Sequence, residues 1–82
     1  MNVTLRQLNA FINVAETSSF TRASDKMHLT QSAVSGLIKE LENNLEVLLF
    51  DRTTRQLSLS VVGYHLLPQA RRVLNEMTVF EN

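Results

Sequence analysis

FTRASDKMHLTQSAVSGLIKELENNLEVLLFDRTTRQLSLS, residues Phe20–Ser60, decides the fold. It divides into a short helix, a three-residue turn, a longer amphipathic helix and two alternating strands joined by a turn that carries arginine. The short helix is expected from Phe20 to Met27, with Ser19 as its cap. His28 and Leu29 form the turn, and Thr30 is a good N-cap for the next helix. At about 100° per residue, Gln31 to Asn43 places Ala33, Val34, Leu37, Ile38 and Leu41 on one continuous arc. The opposite arc carries Ser32, Ser35, Gly36, Lys39 and Asn43. Gln31 and Glu42 lie at one of its edges and Glu40 at the other. The exposed centre is therefore small and polar, and its only charge is positive. A solvated helix usually mixes both signs across its face, whereas a helix that approaches phosphates and base edges should not. Asn43 and Asn44 are expected to end this helix. Leu49 to Arg52 and Gln56 to Ser60 read as strands, with Leu57 and Leu59 facing in and Gln56 and Ser58 facing out.

On the N-terminal side, a helix is expected from about Leu5 to Glu16. Thr4 and Gln7 have the spacing of a capping box, and Leu5, Leu8, Phe11, Ile12 and Ala15 form its buried stripe. On the C-terminal side, Ser60 caps a long helix from Val61 onward. Leu59, Gly63, Leu66, Ala70, Val73, Met77 and Phe80 alternate spacings of four and three, the pattern of a coiled-coil seam. Leu67 and Leu74 sit beside the seam and can pack back on the domain. Pro68 is expected to bend the helix near Tyr64, whose carbonyl loses its partner. The stripe could simply cover the chain's own core, since single helices are amphipathic too. It is longer than so small a domain can bury, which favours a partner helix.

The 82 residues make one small domain, a size at which cores are marginal without support. With no cysteine, disulfides and thiolate metal sites are excluded, which suits a reducing cytoplasm, the expected location. No apolar run is long enough to span a membrane and no signal-peptide pattern opens the chain, so no membrane partner is expected. Eight basic residues balance eight acidic ones. Attraction to DNA then depends on where Arg6, Arg22, Lys26, Lys39, Arg52 and Arg55 point, because the domain lacks a basic excess. His28 and His65 have no carboxylate or second histidine at ligand spacing, so no metal or other cofactor is expected. There is no nucleophile with a base in helical register and no glycine-rich phosphate loop, which argues against an enzyme.

The opening LRQLNAFINVAETSSFTRAS, the turn and helix LTQSAVSGLIKELE and the wing LFDRTTRQLSLS, followed by a glycine and a long helix, resemble the N-terminal domain of LysR-type transcriptional regulators. The likeness covers nearly the whole chain and rests on the order and spacing of these segments together. It implies a mainly α fold: a winged helix-turn-helix of three helices and a two-stranded wing over residues 1–60, then a linker and dimerisation helix over 61–82. It implies sequence-specific binding of double-stranded DNA by a bacterial regulator, with the recognition helix in the major groove and the wing at the minor groove of a two-fold related site. It also implies a homodimer, higher assembly in a longer protein, and a small-molecule effector bound by a C-terminal domain outside these residues.

By the same resemblance, Gln31, Ser32 and Ser35 face base edges, Thr30, Lys39 and Arg6 touch phosphate, and Arg52 and Arg55 serve the wing. Side-chain chemistry agrees: Gln pairs with both N6 and N7 of adenine, hydroxyls serve several base edges, and Arg suits a narrow minor groove. Leu66, Ala70, Val73, Met77 and Phe80 would form the dimer. Ser32 stands where the family commonly has Pro. Gly36 stands where it commonly has Arg, so the recognition helix can lie closer to DNA but loses a strong contact. Glu46 replaces the usual Gly, so that helix must end without a glycine cap. Gln56 and Ser58 lie where basic residues are frequent. Blander readings stay open. Gln31, Ser32 and Ser35 can solvate a helix start, Lys39 can be an ordinary solvated lysine, and Arg52 can pair with Asp51, Glu42 or Glu46. The alternative function is a winged helix used for protein contact without DNA. It gains if Glu40, Glu42 and Glu46 dominate the recognition face.

Overall fold

Four helices and a short hairpin follow one another: α1 (Leu5–Thr17), α2 (Phe20–Met27), α3 (Gln31–Leu45), β1 (Phe50–Asp51), β2 (Ser58–Leu59) and α4 (Val61–Glu81). The computed structural model describes residues 2–52 and 56–81. The helix starts follow from the caps. Thr4 Oγ1 accepts from the Gln7 N–H at 3.1 Å, and Gln7 Oε1 accepts from the Thr4 N–H at 3.2 Å, closing the expected capping box. Ser19 and Thr30 cap α2 and α3 through the amides of Arg22 and Ala33. A cap of this kind is worth roughly 1 kcal/mol.

The helix ends are less ordinary. Ser18, His28 and Glu46 each adopt a left-handed backbone, with φ of 53°, 57° and 57°, although none is glycine. After α2, the Leu29 N–H reaches the Ser24 carbonyl. After α3, the Val47 N–H reaches the Glu42 carbonyl at 3.2 Å. These bonds satisfy carbonyls that a helix end would otherwise leave free. Glu46 thus supplies the turn without the glycine that would make it easy. α3 runs on to Leu45, past the expected stop at Asn43 and Asn44, because Leu45 packs against the core.

The core lies where α1, α2, α3 and the first turns of α4 meet. Phe11, Val14, Val34, Ile38, Leu41 and Leu49 are fully buried. Each such side chain contributes on the order of 1.5–3 kcal/mol over an exposed one. Phe11 meets Phe50 edge to face at 5.7 Å, which seats the wing on α1. The stripe of α1 departs from expectation: Ala10 and Val14, outside the expected set, are fully buried. Leu5 is 39% exposed, and Gln7 takes an inward position. Gln7 tolerates burial because Thr4 uses its oxygen and its Nε2 donates to Glu40 Oε2 at 3.2 Å. On α3, Ala33 is exposed while its neighbours on the apolar arc, Val34, Ile38 and Leu41, are buried.

The strands are two residues long, shorter than expected, and antiparallel, pairing Phe50 with Leu59 and Asp51 with Ser58. Leu49 does not extend β1 because its N–H is diverted to Glu42 Oε2 at 2.8 Å. Its carbonyl accepts from the Ser60 N–H at 2.9 Å. Ser60 Oγ donates to the Leu48 carbonyl at 2.6 Å and accepts from the Gly63 N–H at 2.9 Å. Gly63 lies so close that any side chain there would overlap the Leu49 carbonyl. The start of α4 is therefore fixed to the backbone of residues 48 and 49. α4 continues through Pro68 as one helix. Leu67 and Ala70 join the core, and Leu66 and Leu74 pack against it. Val73 is 41% exposed and Phe80 86% exposed.

Candidate nucleic-acid interface

α3 is pinned by its buried face and by the two turns that flank it. The left-handed His28 reverses the chain after α2, and the half-buried Leu29 packs under the turn. What remains outside is the arc expected from the sequence. Gln31, Ser32, Ser35, Lys39 and Asn43 are exposed. Their spacing sets them along one side of the helix. Gly36 lies among them, and a methyl group there would meet nothing within 4 Å. It is therefore an open position. Thr30 Oγ1 caps the helix and lies 3.3 Å from Ser32 Oγ, so two hydroxyls share the helix start.

Beside this face is a groove of about 700 Å³ between α3 and the residues that lead into the wing. It is lined by Ser35, Lys39, Glu42 and Asn43 of α3 and by Glu46, Val47, Leu48 and Arg52 beyond it. Arg52 has found the partner that the sequence left open among three. Its Nη2 is 3.7 Å from Glu42 Oε1, and its guanidinium lies 5.6 Å from the centre of the Phe20 ring. Its side chain remains half-exposed. Arg55 lies outside the described residues. Arg6 is exposed on α1 but stands apart from the groove, since the adjacent Gln7 touches Glu40 on the other edge of α3.

The carboxylates near α3 are placed unequally. Glu42 is turned inward, with its side chain only 7% exposed, and is held by the Leu49 N–H and Arg52. Glu40 is engaged by Gln7 at the far edge. Glu16 pairs with Arg71 at 3.2 Å, away from α3. Glu46 alone of the three α3-side carboxylates stays exposed in the groove. Lys39 and Arg52 are the cations of the groove, beside the buried Glu42 and the exposed Glu46.

The sequence did not mark two residues that shape this site. Phe20 read as the first residue of a helix, yet its ring supports the Arg52 guanidinium. Glu42 read as an edge residue of a solvated arc, yet it is buried. Its place beside Leu41, at the margin of the apolar arc, was the available signal. Of the five residues expected at a dimer seam, Ala70 is 5% exposed and lies in the chain's own core. Leu66 is half-buried against that core, Met77 on the last turns of α4 is partly buried, and Val73 and Phe80 are exposed. Among the described residues, no helix is long and apolar enough to cross a membrane.

A family model described as bacterial regulatory helix-turn-helix protein, lysR family, matches residues 5–64. An uncharacterized HTH-type transcriptional regulator from an ibpB–leuC intergenic region of Azotobacter vinelandii is 54% identical over 71 residues, which are 87% of this chain and 49% of that protein. The uncharacterized HTH-type regulator YfeR of Shigella flexneri is 47% identical over 94% of this chain and 25% of its own length. The chain thus spans about half of one relative and a quarter of the other. Among solved structures, the oxidized form of Corynebacterium glutamicum OxyR superposes with a TM-score of 0.92 at 34% identity, covering 98% of this chain and 26% of that one. The BenM DBD in its complex with benA site 1 DNA superposes with a TM-score of 0.89 at 31% identity, covering 94% of this chain and 86% of that one. With the family model matched from α1 into α4 and the same fold throughout, the chain belongs to the LysR family of bacterial regulatory helix-turn-helix proteins.

Proposed function

We propose that these residues are the DNA-binding head of a transcriptional regulator, with residues 1–60 reading the duplex and residues 61–82 linking two heads. The observation that carries this reading is the outer face of α3. Its centre is exposed, small, polar and free of carboxylates, and it runs into a groove that holds Lys39 and Arg52 beside the buried Glu42 and the exposed Glu46. In this reading α3 lies in the major groove, where Gln31, Ser32 and Ser35 meet base edges. Gly36 allows close approach, and Thr30, Lys39 and Arg6 meet phosphates. Arg52 and Arg55 serve the wing at the minor groove. The likeness to a DBD solved with DNA supports the same partner here.

Two copies join through α4, with Val73, Met77 and Phe80 as the part of the seam not already packed on the core, and Leu66 and Ala70 at its base. Double-stranded DNA and a second copy of the chain are thus the partners of this segment. Higher assembly and a small-molecule effector belong to a longer protein of the relatives' length. The head performs no catalytic step, and its place of action is the cytoplasm, where bacterial DNA lies. The test is selection of bound sites from a random duplex library. The selected site should be two-fold related, with half-sites about one helical turn or a small multiple apart. Gln31→Ala should change preference at one position per half-site, by about 1–3 kcal/mol. Wild-type protein that binds no duplex at low salt overturns the reading.

A further inference from the structure

Arg52 is held on two sides before any partner arrives. Glu42 reaches it from α3 at 3.7 Å, and the Phe20 ring lies 5.6 Å away on α2. Phe20 is itself packed near Phe50, with ring centres 6.4 Å apart, so this support belongs to the core. Glu42 is also fixed, because its second oxygen accepts the Leu49 N–H at 2.8 Å. The outward half of the arginine stays open to the groove that Lys39 and Ser35 line.

We propose that Glu42 is a positioning residue for DNA binding: it fixes the Arg52 guanidinium at the α3–wing groove so that its free donors are presented without further ordering. The inference rests on the DNA reading above. It carries an unusual sign. Removing a carboxylate beside a DNA-binding groove raises the net charge from zero to +1 and on charge alone strengthens attraction to phosphate. If Glu42 preorganises Arg52, its loss must weaken binding instead. A long side chain then has to be immobilised at the moment of contact, which lowers affinity by roughly three- to tenfold.

The experiment is a double-mutant cycle on the whole chain, using a duplex selected by the wild-type protein. Glu42→Gln keeps an oxygen for the Leu49 N–H and removes the charge that holds Arg52. It should retain wild-type helicity and bind the duplex roughly three- to tenfold more weakly. Arg52→Gln should also weaken binding, and adding Glu42→Gln to it should cause no further loss. A Glu42→Gln protein that binds as tightly as wild type or tighter overturns the proposal. So does an equal loss in the presence and absence of Arg52, which would mark a purely structural role. A variant that fails to fold is replaced by nitrogen NMR of the wild-type arginine side chains. Rotation of the Arg52 guanidinium slower than that of exposed Arg72 supports the proposal, and equal rotation overturns it. Wild-type protein that binds no duplex is a separate result, which removes the DNA reading itself.

Discussion

Gly36 and Gly63 respond to an added side chain in opposite ways, because one faces open space and the other a carbonyl. Gly36→Arg should keep the fold, relieve up to about 1 kcal/mol of helix penalty, and raise affinity for all duplexes by adding a phosphate contact. Gly63→Ala should destabilise by about 1–3 kcal/mol, because the backbone of Leu49 must move. Thermal melting of both variants, with a binding titration for the first, checks the pair; equal melting temperatures would contradict the packing at Leu49. The outward place of Gly36 was legible in the sequence, since helical period alone puts it between Ser35 and Lys39. The need for glycine at position 63 was not legible. It depends on a carbonyl fourteen residues away, brought there by Ser60. Gln7 and Glu42 escaped for a related reason. A polar side chain reads as solvated until its partners, here Glu40 and the Leu49 N–H, are known.

Among the elements, α4 divides into two halves with different neighbours. Ala70 and Leu67 are core residues, whereas Val73, in an apolar cleft beside Leu8, Leu45 and Leu66, is 41% exposed and Phe80 is 86% exposed. The four-three spacing continues across this division, so periodicity could not show where the chain's own core stops serving the seam. Substitution separates the halves. Ala70→Asp buries a carboxylate without a partner and should cost several kcal/mol, enough to unfold a domain of this size. Val73→Asp should leave a folded monomer. Operator affinity should then fall by orders of magnitude, because the second head loses its high effective concentration. Sedimentation and a titration on the same Val73→Asp sample decide it. A variant that remains dimeric, or a monomer that binds as tightly as wild type, removes the seam from the mechanism. The helix starts were set by local chemistry and were legible from it: Thr4, Ser19, Thr30 and Ser60 start the helices as their hydroxyls dictate. The first strand begins at Phe50 and not at Leu49 because the Leu49 N–H bonds a carboxylate and not a neighbouring strand.

For the whole molecule, a net charge of zero conceals a division of labour among ion pairs. Arg71 is bound to Glu16 at 3.2 Å on the α1–α4 side, and Lys39 stands in the α3 groove. Lys39→Ala should weaken binding to all duplexes alike and lower the salt slope of binding by about one. Arg71→Ala removes the same formal charge and should leave that slope unchanged. Titrations of both variants across a salt series distinguish local placement from net charge, and equal slopes would favour net charge. The attachment of α4 also has a mechanical result. Ser60 and Gly63 fasten its first turn to residues 48 and 49, and Glu42 fastens Leu49 to α3. Its 21 residues then act as a pointer about 32 Å long. A tilt of about 5° at the base sweeps the far tip through roughly 3 Å, nearly the rise of one base pair. In the proposed dimer, the reach between two heads would then depend on how firmly α4 is fastened at Leu49.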